Sequence, residues 1–330
     1  MIMNAIKSET ATMNAVVFEK YGEPDVLQLK EIAKPEPKDN EVLIQVKATT
    51  VTSGDWQMRK GEPFAVRLAF GLTKPKNQIL GFEFSGVITS VGKNVRKFNL
   101  GDEVFGYHTA GGTYAEYICL PEDGILIEKP KNLSFDEAAA VPNGALTALY
   151  FLKKANIGAG QKVLIYGASG SVGTYAVQLA KYFGAKVTAV CSTNNINLAN
   201  LTGADKVIDY TRKDFSKTSE TYDIIFDTVG KTSYTQCKNI LKTKGKYVLC
   251  SYGISHIIQM IINTFKSSKK VICDIMKADN DNLKFLKLIS EEGKLRPIID
   301  RIYPLDESID AHAYVEKGRK KGNVVLTFEY

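Results

Sequence analysis

The sequence predicts an α/β protein, a β module into which a doubly wound domain with a six-stranded parallel sheet is inserted. Three observations carry this. Short β elements broken by turns fill the chain from Ala15 to about Pro130. From Ser134 onward, strand-like and helix-like segments alternate, the pattern of right-handed βαβ crossovers. Between them, KVLIYGASGSVGTYAVQLAKYFGA (Lys162 to Ala185) joins a buried strand, a glycine turn and an amphipathic helix without interruption.

Taken in order, residues 1–12 are polar and aperiodic, which predicts a loose tail. The β elements read AVVFEKYG, VLQLKEI, EVLIQVKATTV, GFEFSGVITSVG, DEVFGY, TYAEYICL and GILIEK, rich in valine and isoleucine. Only a turn near Trp56–Lys60 and an irregular apolar loop at Phe64–Leu72 break that pattern. Ser134-Phe-Asp-Glu137 is a capping box opening an alanine-rich helix, and Pro142 separates it from a second helix through Ala145–Lys154. After the Val163–Tyr166 strand come Lys186–Cys191, KVIDY (206–210), YDIIFDTVG (222–230), KYVLCSYG (246–253) and KKVICDIM (269–276). A helix around Asn282–Glu292 ends at Gly293. RPIIDRIYP and NVVLTFEY then return to β character, joined through Asp306–Lys317. The expected domains are 1–137 with 280–330, and 138–279 between them.

The glycine turn carries the first functional reading. Gly167, Gly170 and Gly173 are spaced three apart, and Val172, Tyr175, Ala176, Leu179, Ala180 and Phe183 recur at helical spacing up to Gly184. Strand, turn and helix together bring backbone N–H groups and a helix N-terminus to where a pyrophosphate can be held. The alternative is a tight turn without ligand. An NAD site carries Asp or Glu about 20 residues on, at the end of the second strand, to bond the ribose 2′-OH. Here that strand is followed by Ser192, Thr193, Asn194 and Asn195, none acidic. Hydroxyls and amides can donate to a 2′-phosphate that a carboxylate would repel, so NADP(H) is the expected cofactor.

Composition narrows the class. The chain has 330 residues, 44% hydrophobic and 24% charged, as in an ordinary globular protein. Its net charge of +7 is spread without long basic runs, which does not make a nucleic-acid footprint. Five cysteines without a C-x-x-C spacing indicate neither a disulfide framework nor a zinc knuckle. No stretch reaches the 18 apolar residues of a membrane span, and the N-terminus lacks an apolar signal region, so the expectation is a cytoplasmic enzyme with no membrane partner. Ile254, Ile257, Ile258, Ile261, Ile262 and Phe265 form an apolar stripe at helical spacing, read as core in preference to a roof over a ligand.

From Met13 to Tyr330 the chain resembles the medium-chain dehydrogenase/reductase superfamily, in its zinc-free quinone (enone) oxidoreductase branch. MNAVVFEKYGEPDVLQL resembles the family's opening, GFEFSGVITSVG its catalytic core and KGNVV its closing motif. YGASGSVGTYAVQLAKYFGAKV is a long match to its cofactor turn. The resemblance implies a GroES-like β domain with an inserted Rossmann domain. It also implies NADPH-dependent hydride transfer to quinones or α,β-unsaturated carbonyls, and a homodimer through the edge strand of the inserted sheet. Zinc-dependent members carry Cys and His where this chain has Thr52 and Phe82, with Asn143 near the remaining ligand position. A hydroxyl and a phenyl ring do not supply zinc's N/S ligand set, and the structural cysteine quartet is missing. His108, His256 and His312 lie in three distant segments. Asp55 and Glu83 match carboxylates behind the zinc and are expected here to satisfy backbone or basic partners.

The same resemblance names the expected site. Gly167 and Ser169, Gly170, Ser171, Val172 and Gly173 match the pyrophosphate turn, Ser192 and Thr193 the 2′-phosphate loop, and Tyr210 an aromatic beside it. Asn143, Thr147, Val229, Ser251, Tyr252, Gly253, Lys321, Gly322 and Asn323 match segments along the nicotinamide half. A small electrophilic acceptor needs a hydrogen-bond donor for the enolate that develops, and Thr52, Tyr107 and Tyr252 are the candidates. Each has a bland alternative, a threonine bonding its own backbone or a tyrosine packing on the β core. Water or the cofactor ribose could supply the proton instead. The rival functions are a zinc-free carbonyl or alcohol oxidoreductase and an NADPH-binding protein with vestigial catalysis.

Overall fold

The computed structural model describes residues 11–253, 256–258, 260–262 and 268–329. The chain divides into two compact units. The first runs to Glu128 and adds Ile302–Glu316 and the chain from Val325; the second holds Lys129–Arg301 and Lys317–Val324.

In the first unit, β1 (Thr12–Val17) and β2 (Gln28–Ala33) form an antiparallel pair. The larger sheet uses β3 (Glu41–Thr50), β4 (Glu83–Val91), β5 (Glu103–Tyr107), β6 (Tyr117–Pro121) and β7 (Leu126–Glu128). β3, β4, β5 and β7 follow one another antiparallel, and β6 lies along β3. Val325–Thr327 pairs with the end of β3. These are the β elements read from the sequence. Three helices were not. Ser53–Lys60 is a full helix where a turn was expected, and Ala65–Phe70 is helical where a loop was expected. Ser308–Glu316, read as a joining segment, is a helix too.

The helices Ser53–Lys60 and Ser308–Glu316 meet through buried polar groups. Arg59 is fully buried and donates to the Gly22 carbonyl at 2.5 Å, to Glu316, and to His312 Nδ1 at 3.3 Å. An Nδ1 that accepts leaves the proton on Nε2, which faces the Tyr114 hydroxyl at 3.3 Å; that hydroxyl donates to the Thr50 carbonyl at 3.2 Å. Burial, and then the Arg59 charge, push the His312 pKa down to about 3. In the unfolded chain it titrates near 6.5. Unfolding therefore takes up a proton below about pH 6.5, so His312 costs stability as pH falls towards 3 and has no effect above 6.5. Asp55, raised by burial to about 6, acts in the opposite sense between that value and the unfolded range near 4. We expect the difference between wild type and His312→Asn in urea-unfolding free energy to change by about 1.4 kcal/mol per pH unit between pH 6 and 4. A difference independent of pH in that window would show that His312 is not buried neutral.

In the second unit, β8 (Lys162–Tyr166), β9 (Lys186–Cys191), β10 (Lys206–Asp209), β11 (Tyr222–Asp227), β12 (Leu241–Leu249) and β13 (Lys270–Cys273) are all parallel, in the order β10–β9–β8–β11–β12–β13. Val163, Leu164 and Ile165 are fully buried, as a central strand covered on both faces requires. The domain expectation is corrected at both ends. Lys129–Glu137 and the helix Asn280–Glu291 belong to this unit, because the helix packs on Pro142–Lys154 and Asn132 Nδ2 donates to the Ser290 carbonyl at 2.8 Å. The isoleucine stripe is corrected as well. Residues 256–258 and 260–262 are helical, but Ile257, Ile258, Ile261 and Ile262 are 38–53% exposed, and Met260 is the residue that meets the core. Ile254 and Phe265 lie outside the described residues. Among those described, no helix is long and apolar enough to cross a membrane.

Candidate active site

The turn after β8 is shaped by what its glycines exclude. Gly167 has φ +77°, and a Cβ there would meet Thr228 Oγ1 at 2.8 Å. At Gly173 a Cβ would stand 2.1 Å from the Gly167 carbonyl oxygen, so the helix Ser171–Tyr182 can approach the strand end only without one. Gly170, its N-cap, makes no side-chain cap bond, which leaves the first-turn N–H groups to a ligand. A cradle of backbone N–H groups at a helix N-terminus fits a dinucleotide's pyrophosphate.

The closing segment docks on this turn. Gly322 donates its N–H to the Ser169 carbonyl at 2.8 Å and pairs with Gly170 in a parallel bridge. Asn323 is 3% exposed; its Oδ1 accepts from the Ser171 hydroxyl and its Nδ2 donates to the Ile298 carbonyl at 3.1 Å. The Asn323 side chain is thus engaged within its own unit. Its amide is a structural tie, and it also commits the proton of Ser171. Lys321 is exposed, with its backbone N–H held by Asp300. Gly144 lets the helix Pro142–Lys154 pass close to Ser171, since a Cβ would lie 2.6 Å from its Oγ. Asn143 and Thr147 sit on that helix, half-buried and buried respectively.

The neighbouring strand ends add groups that sequence reasoning missed. Asp227, fully buried at the end of β11, accepts from the N–H groups of Val229, Gly230 and Thr232 and from the Thr232 hydroxyl, at 2.7–2.9 Å. This leaves Val229 41% exposed on the rim. An aspartate closing an apolar run three residues before a glycine was the available signal. After β9, Ser192 is half-buried and Thr193 exposed, but the Thr193 hydroxyl donates to Asp209 of β10. A carboxylate therefore stands beside this loop, contributed by the third strand and not the second. Its pKa is lowered chiefly by that hydrogen bond, and Arg212 faces it at 3.7 Å. Tyr210, about half exposed, leans on Tyr166 with ring centroids 6.0 Å apart. After β12, Ser251 and Gly253 are exposed, and Tyr252 packs partly on the core cluster.

In the first unit, Thr52 is the N-cap of Ser53–Lys60 in a reciprocal capping box. Its hydroxyl donates to Asp55 Oδ2 at 2.6 Å and accepts from Asp55 N at 3.3 Å. The bland alternative for Thr52 is thus the arrangement seen, with its proton committed to a carboxylate. Asp55 also accepts from Gly81 N at 2.9 Å, and Glu83 accepts from the Thr50 hydroxyl, so both carboxylates satisfy local donors. Tyr107 differs. It lies opposite Glu83 in the ladder, is half-buried, and its hydroxyl takes no partner among the described residues. Burial first, then the Glu83 and Asp55 charges, hold its pKa far above the usual phenol range, so it stays a proton donor. Phe82 stacks beside it at 6.3 Å. His108 Nδ1 faces the Gly111 carbonyl at 2.7 Å. No group of three His, Cys, Asp or Glu side chains able to hold a metal occurs among the described residues, and a phenyl ring at 82 and a capping hydroxyl at 52 do not fit zinc.

A glycine turn on a parallel sheet of this order, in a chain that also carries an antiparallel β unit, defines a dinucleotide-dependent dehydrogenase or reductase. Comparisons with known proteins agree. Residues 38–131 match the alcohol dehydrogenase GroES-like domain, and residues 202–326 match the zinc-binding dehydrogenase domain. The chain is 33% identical over 98% of its length to a 2-methylene-furan-3-one reductase of Solanum lycopersicum, covering 82% of that protein. It is 31% identical over 95% of its length to an NADPH-dependent alkenal/one oxidoreductase of Arabidopsis thaliana, covering 79%. The structure of a quinone oxidoreductase from Coxiella burnetii superposes with a TM-score of 0.88 at 32% identity, covering 97% of this chain and all of the other. The chain belongs to the medium-chain dehydrogenase/reductase family, in its quinone oxidoreductase and enone reductase branch.

Proposed function

We propose that the protein reduces quinones or α,β-unsaturated carbonyl compounds with NADPH, without zinc. The observation that carries this is Tyr107, a half-buried phenol with an uncommitted proton, in a chain whose zinc positions hold Thr52 and Phe82. The likeness to alkenal/one and quinone oxidoreductases supports the acceptor class. When bound, the nicotinamide supplies the hydride. The turn Gly167–Gly173 holds the pyrophosphate through backbone N–H groups, and Val229 lines the nicotinamide half. Tyr107 donates its proton to the acceptor oxygen as negative charge gathers there, which removes the need for a Lewis acid. Thr52 holds Asp55 and the helix start in place. NADPH is preferred over NADH because Ser192 can donate to a 2′-phosphate, while the oxygens of Asp209 are engaged by Thr193 and Thr211 and faced by Arg212.

The deciding experiment follows NADPH absorbance with enones, quinones and simple ketones or alcohols, in the presence of a zinc chelator. Turnover should be confined to enones and quinones. Tyr107→Phe should lower kcat about 100-fold and leave the NADPH Kd unchanged. Thr52→Val should cost about 1 kcal/mol of stability and little turnover. Full activity of Tyr107→Phe removes the phenol from the mechanism, and loss of activity with the chelator overturns the zinc-free reading. In the same preparation, a dimer mass would fit pairing through β13, which ends the sheet order.

A further inference from the structure

Asn195 lies just beyond β9, and its amide reaches two hydroxyls from different parts of the site. Nδ2 donates to Ser169 Oγ in the glycine turn at 2.9 Å and to Ser192 Oγ at 3.2 Å. Its Oδ1 is buried and takes no partner among the described residues. Placed this way, the amide presents its N–H donors to the two serines and keeps its oxygen in the buried interior. An amide NH2 only donates. Each serine oxygen must therefore accept from it, and each keeps its own proton to offer elsewhere. Neither serine hydroxyl donates to another protein group among the described residues, whereas the protons of Thr193 and Ser171 are committed to Asp209 and Asn323.

We infer that Asn195 is the positioning residue that turns Ser169 and Ser192 into outward donors, and so selects an anionic 2′-phosphate over a 2′-hydroxyl. This rests on the NADPH reading proposed above. A carboxylate at 195 would accept both serine protons, turning them inward, and add a like charge near the phosphate.

The test is calorimetric titration of the full chain, with no acceptor, using adenosine 2′,5′-bisphosphate and adenosine 5′-monophosphate, which differ only in the 2′-phosphate. Wild type should bind the bisphosphate at least about tenfold more tightly, as a charge-assisted hydrogen bond implies. Asn195→Asp should abolish that ratio while keeping the monophosphate affinity. Asn195→Leu, which removes the donor without adding charge, should reduce the ratio about threefold or more. A wild type without preference overturns the NADPH reading itself. A wild type with the preference and an Asn195→Asp or Asn195→Leu ratio equal to it overturns the role of Asn195 alone.

Discussion

Gly173→Ala is expected to destabilise the second unit even with no nucleotide present, by about 3 kcal/mol or more, and to abolish dinucleotide binding. The added methyl would meet the Gly167 carbonyl oxygen at 2.1 Å and the Ala168 Cα at 2.8 Å. Both are backbone atoms of the turn itself, so no rotamer change relieves the contact. Gly170→Ala separates packing from ligand approach. Its Cβ would come no nearer than 3.6 Å to the Gly167 oxygen, and its φ of −80° suits any residue. That variant should keep the wild-type melting temperature and lose about tenfold in dinucleotide affinity, because only the bound pyrophosphate needs the space. Thermal melts and nucleotide titrations of both variants decide it. If the two variants melt alike, Gly173 is not where helix and strand make their close approach.

Arg59→Leu should cost the first unit about 3–5 kcal/mol. The guanidinium is fully buried, and its loss leaves the Gly22 carbonyl and His312 Nδ1 without their donor and removes one of the two charges that pair with Glu316. Lys60, which also pairs with Glu316, is a sharp control. Its side chain is 19% exposed, and Lys60→Ala should cost no more than about 1 kcal/mol. Chemical denaturation of both variants measures the difference. Equal losses would mean that the pair, and not the buried network around Arg59, holds the two helices together.

Arg59 also explains why part of the fold escaped sequence reading. A helix is recognised by an apolar stripe, but the inward face of Ser53–Lys60 carries Asp55 and Arg59, and that of Ser308–Glu316 carries Ser308 and His312 beside Ala311 and Val315. The helix Ala65–Phe70 buries no residue at all, so its apolar letters looked irregular. The isoleucine stripe misled in the opposite direction. Its spacing was helical, yet spacing cannot say whether a face is covered, and four of its residues are exposed.

At the site, residues acting through their own segment were legible. The glycine spacing predicted the turn, and the Ser134 capping box formed as written. Asp227, which ties up the turn that follows it, left a local signal, but Asp209 and Asn195 were not legible, because each acts on atoms brought near by the order of strands in the sheet. Thr193 meets Asp209 because β9 and β10 are neighbours, and Asn195 meets Ser169 because the ends of β8 and β9 lie side by side. The partners of Asn323 were hidden for the same reason, since only the docked turn brings Ser171 and Ile298 to its amide.

The sequence by itself determined the inserted parallel sheet, the cofactor turn and the family, because continuous apolar runs, glycine spacing and caps act over short stretches of chain. Tertiary structure alone decided which hydroxyl protons are free to act. It committed those of Ser171 and Thr193 to amide or carboxylate oxygens and left those of Tyr107, Ser169 and Ser192 uncommitted, whereas the Thr52 proton is held by Asp55 in its own helix turn. The direction of a hydroxyl depends on which acceptor folding brings within 3 Å of it, and no local pattern of letters carries that distance.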